Sequence, residues 1–513
     1  MSDELWQHLL KVALLGTERQ AFTLPQADRP LGALVHLDSS KPEHALLGAA
    51  AAVALYRRAG RMSLVDDQPQ PAPCVLDDAP RCNPRAAQYL CLMLEGQYAD
   101  LLPEWLAAVA QSGQRVPEEY LAALLDKGRT QVGWRDAIVP VLGKRGEWLA
   151  TLNADWDYAM PIPDDEAVWQ TSSRAMRVLL LKHLRTSAPD RARELLASTW
   201  ATESPDDRAA FLATFEIGLS MADESFLEAA LDDKRKEVRR AAVDLLQRLP
   251  PSHLCQRMVE RVRSLVTFVP AQKGRVLKRG QAARVEVTLP EECDKAMQRD
   301  GIEPKPPNSK IGEKAWWLQQ MLGAVPLDVW REAWNLSPAE CVQAASQGEW
   351  RTVLLAGWVG AAGSQRNADW IEALLTDLLR TSEAVDPSRL LRALPRPRQE
   401  LIVLDILRQN PSLESDQPAS WLLLPCEHIW GDELSRAVLN SVYKHVRNKD
   451  VKIPWKWSEL LQTIARRLSP ALMTEALSRL GKAAAKKSET TEEIEKFLTL
   501  LQFRHDMLKE IAE

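Results

Sequence analysis

DESFLEAALDDKRKEVRRAAVDLLQRLPP, residues 223–251, is the stretch that decides the fold. It reads as two short antiparallel helices of an α-solenoid repeat. In its second half Val238, Ala241, Ala242, Leu245, Leu246 and Leu249 recur at i, i+3, i+4, i+7, i+8 and i+11. At 3.6 residues per turn these side chains share one stripe, so one face of the helix is apolar. Lys236, Arg239, Arg240, Asp244, Gln247 and Arg248 fall on the opposite face, which the spacing assigns to water. Asp232 or Asp233 is placed to accept the N–H groups orphaned at the helix start, and Pro250 and Pro251 cannot continue the ladder at its end.

The same periodicity runs outward through most of the 513 residues. Helices are expected over 5–15, 45–58, 85–94, 101–111, 117–126 and 134–142, with irregular proline-containing stretches at 17–42 and 66–84. Residues 143–156, GKRGEWLATLNADW, read as a turn-rich hinge. Residues 166–249 read as successive helices with short connectors, the spacing of stacked helix pairs. The helical rule breaks between 265 and 289. There, short β-branched runs at 265–269, 275–278 and 283–289 are separated by Gly274 and Gly280. Val285, Val287 and Leu289 alternate with Arg284, Glu286 and Thr288, the period of a half-buried strand, so a small antiparallel β insertion is expected. A linker at 300–312 leads to a tryptophan-dense block holding Trp316, Trp317, Trp330, Trp334, Trp350, Trp358 and Trp370. Further helices are expected over 387–410, 432–446, 457–467, 470–480 and from 491. Four regions follow: N-terminal helices (1–100), helical repeats (101–264), sheet and linker (265–312) and a C-terminal Trp-rich helical domain (313–513).

Hydrophobic residues at 46% and charged residues at 26% describe a folded chain. A net charge of −5 gives no global pull toward nucleic acid or anionic membrane. Residues 226–284 depart from that average, with 14 Lys/Arg against 6 Asp/Glu. Seven cysteines without a CxxC pair suit reduced thiols. The longest apolar run, 45–56, is too short to span a bilayer and reads as a buried helix. A soluble, cytoplasmic protein with no membrane segment is expected.

No phosphate loop, dinucleotide fingerprint, HExxH or GxSxG elbow occurs, and no His or Cys set has zinc spacing, so neither cofactor nor metal is expected. The carboxylate pairs Asp77–Asp78 and Asp206–Asp207 precede expected helices, where capping explains them.

Four segments carry a family resemblance: LLKVALLGTERQ (9–20), PVLGKRGEWLATLNADW (140–156), FLEAALDDKRKEVRRAAVDLLQRLP (226–250) and VTLPEECDKAMQRDGI (287–302). Together they resemble an uncharacterised bacterial family, a domain of unknown function with HEAT-like helices. Such proteins are encoded beside a MoxR-type AAA+ ATPase, a von Willebrand factor A-domain protein and a SWIM zinc-finger protein. The resemblance implies a HEAT-like α-solenoid and a place in a chaperone-like or metal-insertion assembly; it brings no catalytic residue with it.

The first functional expectation is a non-enzymatic scaffold or adaptor that binds protein partners, an AAA+ ATPase or a von Willebrand factor A-type protein among them. Its candidate contact residues are Thr17, Glu18 and Arg19 in the turn ending the first helix, and Glu292, Asp294, Lys295, Arg299 and Asp300 after the sheet. All are polar residues in segments poor in packing periodicity, where binding function concentrates. The competing expectation is a nucleic-acid-binding protein, up to a DNA-repair glycosylase-like enzyme. It would use the basic stripe Lys236, Arg239, Arg240, Arg275, Lys278, Arg279 and Arg284, with a nearby tryptophan for stacking.

Overall fold

The computed structural model describes residues 2–22, 40–59, 71–161, 169–272, 281–381, 387–414, 417–447, 457–484 and 491–512. It is mainly helical, with one two-stranded antiparallel sheet among the described residues. The chain divides into two compact units, Met1–Pro73 and Cys74–Glu513.

The deciding stretch folds as a helix pair, Glu224–Ala230 packed against Lys236–Leu246. Val238, Ala242, Leu245, Leu246 and Leu249 are buried, while Ala241 is only half-buried. Val243, outside the expected stripe, is buried as well, because Gly301 lies against it with no side chain of its own. The expected aspartate cap does not form. Asp233 accepts from the Arg235 N–H (2.8 Å) in a local turn, and Asp232 is drawn to Arg299 (2.6 Å). The helix therefore starts at Lys236, with Arg235 at the N-cap and no side-chain cap. Elsewhere the expected chemistry is present: Ser173, Ser204, Ser252 and Ser337 each accept an N–H at a helix start.

Two boundaries differ from the periodicity. Residues 143–156 are not chiefly turn: helix Arg135–Leu152, broken at Gly143 (φ 65°, ψ −179°), covers 143–152, and a short 3-10 helix, Ala154–Ala159, follows. Beyond the break the helix restarts because the Asp77 carboxylate accepts the Lys144 N–H, a cap from 67 positions earlier. Residues 387–410 form two helices, Ser388–Ala393 and Arg396–Gln409. Pro395 cannot sit in a helix interior, whereas Pro397 is tolerated in the first turn of the second helix.

Strand β1 (Val266–Val269) pairs with β2 (Arg284–Val287), placing Val266 opposite Val287 and Phe268 opposite Val285. Val266 and Val285 turn into the core between helices His253–Arg263 and Pro338–Ala345. The expected middle strand, 275–278, lies outside the described residues. The tryptophans of the next block are mostly core: Trp330, Trp358 and Trp370 are buried, with ring centroids 6.0 Å and 5.1 Å apart in succession.

Within the Cys74–Glu513 unit each helix packs mainly on those near it in sequence, until the last one. Helix Thr491–Ala512 packs on Trp457–Arg467 and Met473–Ala484, and also on Pro84–Leu94 and Leu102–Gln111 near the start of the unit. Arg504 is fully buried in this seam, bound to Glu104, while Phe503 packs against Tyr89 and Tyr98. In the Met1–Pro73 unit, helices Ser2–Leu15 and Pro42–Ala59 pack through Leu5, Leu9, Ala49 and Val53. The apolar run 45–56 is thus buried on one face only. No helix among the described residues is long and apolar enough to cross a membrane.

Candidate functional site

The two groups of candidate contact residues lie in different units. In the first, the turn after helix Ser2–Leu15 exposes Glu18 and Arg19, while Thr17 donates to Glu43 (2.6 Å) and ties the turn to helix Pro42–Ala59. That hydrogen bond holds the Glu43 carboxyl below its ordinary pKa.

In the second, Asp294 caps the short helix Lys295–Arg299 by accepting the Met297 N–H (2.7 Å). Arg299 reaches back to Asp232 (2.6 and 3.0 Å) and Glu228 (2.9 Å). Its hydrogen bond lowers the Asp232 pKa. Asp300, only 2% exposed, receives Arg257 (2.6 and 3.0 Å) and Arg261 (2.7 Å). Arg299 and Asp300 therefore belong to one ionic network joining helices Glu224–Ala230, His253–Arg263 and Lys295–Arg299. Glu292 and Lys295 stay exposed, with no side-chain partner among the described residues.

Part of the basic stripe is compensated. Lys236 pairs with Glu303 (3.0 Å) and Arg284 with Glu286 (2.7 Å), and Arg248, after the same helix as Lys236, pairs with Glu216 (2.7 Å). Arg239 donates to the carbonyls of Asp233 (2.8 Å) and Lys234 (3.1 Å). Arg275, Lys278 and Arg279 lie outside the described residues. Arg240 and Asp244 lie one helical turn apart, and both are exposed. Desolvation raises the Asp244 pKa above the ordinary carboxylate value, against the pull of Arg240, Arg248 and Arg389. Arg389 comes from helix Ser388–Ala393, so cations from two distant helices act on one carboxylate.

Ion pairs also hold two of the three carboxylates, Asp369, Glu372 and Asp377, that line the cleft of about 490 Å³ between helices Pro338–Ala345 and Ala368–Thr381. Of its lining carboxylates, Asp377 is bound by Arg351 (2.6 Å) and Glu372 by Arg398 (3.0 Å). Among the described residues no three His, Cys, Asp or Glu side chains form a set that could hold a metal ion.

Exposed apolar side chains are the feature that polar-residue reasoning passes over. Val75 (70% exposed) and Leu76 (81%) stand on an extended segment that is stitched down immediately afterwards. Asp77 pairs with Arg115 (3.5 Å), the Arg115 N–H donates to Pro80 (2.8 Å), and the Cys82 N–H donates to Arg115 (2.8 Å). Leu47 (69%) and Leu55 (67%) project from helix Pro42–Ala59. The signal for the second pair is present in sequence: Leu47, Ala51 and Leu55 follow a four-residue spacing out of phase with Ala45, Ala49 and Val53, so the helix is apolar on two faces.

A model of a family of unknown function, DUF5691, matches residues 8–511, and the chain belongs to that family. No curated protein and no solved structure matches it.

Proposed function

We propose that this chain is a non-enzymatic, cytoplasmic scaffold or adaptor, a HEAT-like α-solenoid that binds protein partners. The observation that carries this reading is the exposed pair Val75 and Leu76, held on a segment whose next residues are fixed by Arg115. Apolar side chains presented on a firmly held backbone suit a partner pocket, because little conformational freedom remains to be lost on binding. The ion pairs of two stripe residues, Lys236 with Glu303 and Arg284 with Glu286, support the same reading, since cations already matched by carboxylates are poor phosphate ligands.

The family resemblance supplies the partners to try: a MoxR-type AAA+ ATPase and a von Willebrand factor A-domain protein, in a chaperone-like assembly. Calorimetry with each purified protein should give a complex with at least one. The double variant Val75→Ser/Leu76→Ser should weaken that complex tenfold or more without changing the thermal midpoint. Absence of binding to both sinks the reading.

Arg240, exposed and outside the ion pairs that hold Lys236, Arg248 and Arg284, favours a second reading, nucleic-acid binding. Binding to short duplex DNA with a steep negative salt slope would promote it, and no binding at low salt would remove it.

A further inference from the structure

We infer that helix Pro42–Ala59 pairs, antiparallel and about a two-fold axis at Ala51, with the same helix of a second copy of this chain. At 100° per residue His44, Leu47, Ala51, Leu55 and Arg58 fall within one narrow stripe, and all five are exposed. The opposite stripe, Ala45, Ala49 and Val53, is already occupied by helix Ser2–Leu15 through Leu5 and Leu9.

The exposed stripe reads nearly the same in both directions from Ala51. Leu47 lies four residues before it and Leu55 four after, and the small residues Gly48 and Ala54 lie three to either side. A two-fold axis at Ala51 therefore seats Leu47 of one copy against Leu55 of the other. The three small residues at the crossing let the helices approach to roughly 8 Å, the close end of the helix-packing range. This is the self-complementarity that an isologous interface requires. A foreign helix would impose no such symmetry on the stripe.

Charge agrees with that direction. The first turn carries Glu43 and the last carries Arg58 on the exposed stripe, while Arg57 lies over the Trp6 ring of its own chain. Antiparallel pairing brings Glu43 of each copy beside the basic end of the other, and the two helix dipoles run in opposition. A parallel pair would set like ends together.

Sedimentation velocity on the full chain at tens of micromolar tests the inference. Wild type should sediment as a species of twice the 57.6 kDa chain mass, and Leu47→Asp as the single chain with an unchanged helical circular dichroism spectrum. Ala51→Cys gives an arm that does not depend on an acidic residue being tolerated. Under mild oxidation it should form a covalent dimer at least tenfold faster than wild type or Glu18→Cys. A monomeric wild type overturns the inference, and so does a dimer that survives Leu47→Asp. A monomeric wild type whose thermal midpoint falls in Leu47→Asp would show that the stripe is covered within one chain, which overturns it too. None of these outcomes touches Val75 or Leu76, so the adaptor reading stands or falls separately.

Discussion

Arg504 grips Glu104 through Nε (2.6 Å) and Nη2 (2.7 Å), although the two are 400 positions apart in sequence. Its remaining nitrogen donates to the carbonyls of Ala465 (3.0 Å) and Leu468 (2.6 Å) at the end of helix Trp457–Arg467. One guanidinium thus ties three helices at the seam, with its donors directed where a planar fork fits. Arg504→Met should leave Glu104 and both carbonyls without that donor, at a local cost of about 3–5 kcal/mol. Native-state hydrogen exchange is the measurement. Exchange should quicken in Thr491–Ala512 and Leu102–Gln111 and stay as in wild type in Lys236–Leu246. Uniform loss of protection would show that the seam is not a local closure.

A second buried pair has a pH signature. Arg185 and Asp223 are both fully buried and bidentate (2.8 and 2.7 Å), and Arg185 also donates to the carbonyls of Ile217 and Gly218 (both 2.9 Å). Burial alone would raise the Asp223 pKa. Hydrogen bonds from Arg185, the Ser220 N–H and Arg193 reverse that, and the net shift is downward from 3.8. A carboxylate with a lowered folded pKa stabilises the fold above its unfolded pKa and loses that contribution as pH falls toward the folded value. Asp223→Asn should therefore cost about 3 kcal/mol at pH 7. Its deficit should shrink only below about pH 3.8, where wild type surrenders the same interaction. Urea melts of both proteins across pH 2–7 would test this; a deficit independent of pH would refute the assignment.

Gly143 should resist replacement for two reasons. Its φ of 65° disfavours any L side chain, and an added Cβ would lie 2.3 Å from the Asp77 carboxylate oxygen that caps the restarting helix. Gly143→Ala should lower stability by at least about 2 kcal/mol, seen as a depressed thermal midpoint. Gly133→Ala is the matched control, since a Cβ there meets nothing within 4 Å and the backbone is not in the left-handed region.

The parts of this fold that were legible in sequence are those written locally. Val238, Ala242, Leu245, Leu246 and Leu249 announce their burial by spacing, Val285 by alternation, and helix Trp457–Arg467 by the same apolar period. Three features escaped because their partners are remote. Asp232 leaves its capping post for Arg299, Asp77 caps a helix 67 positions later, and Arg504 closes on Glu104. Ionic pairs of this kind have no period. The candidate contact residues show the same limit. A polar residue in an aperiodic segment looks alike whether it awaits a partner or, as Arg299 and Asp300 do, already has one inside the chain.

That ambiguity can be resolved by paired substitutions within one segment. Asp300 is the buried shared acceptor for Arg257 and Arg261, and its removal leaves Arg261 without that carboxylate and Arg257 with Glu228 alone. Asp300→Ala should cost about 3 kcal/mol or more. Any loss of partner binding it causes should then follow the loss of folded protein. Glu292 and Lys295 lie a few residues away, exposed and without such partners among the described residues. Glu292→Lys should change stability by less than about 0.5 kcal/mol. If this segment meets a protein partner, Glu292→Lys should slow association and alter its salt dependence, as rim charges do. Thermal midpoints and association rates for the two variants separate the roles. A stable Asp300→Ala protein would break the network assignment, and an unchanged association rate in Glu292→Lys would remove the segment from the contact surface.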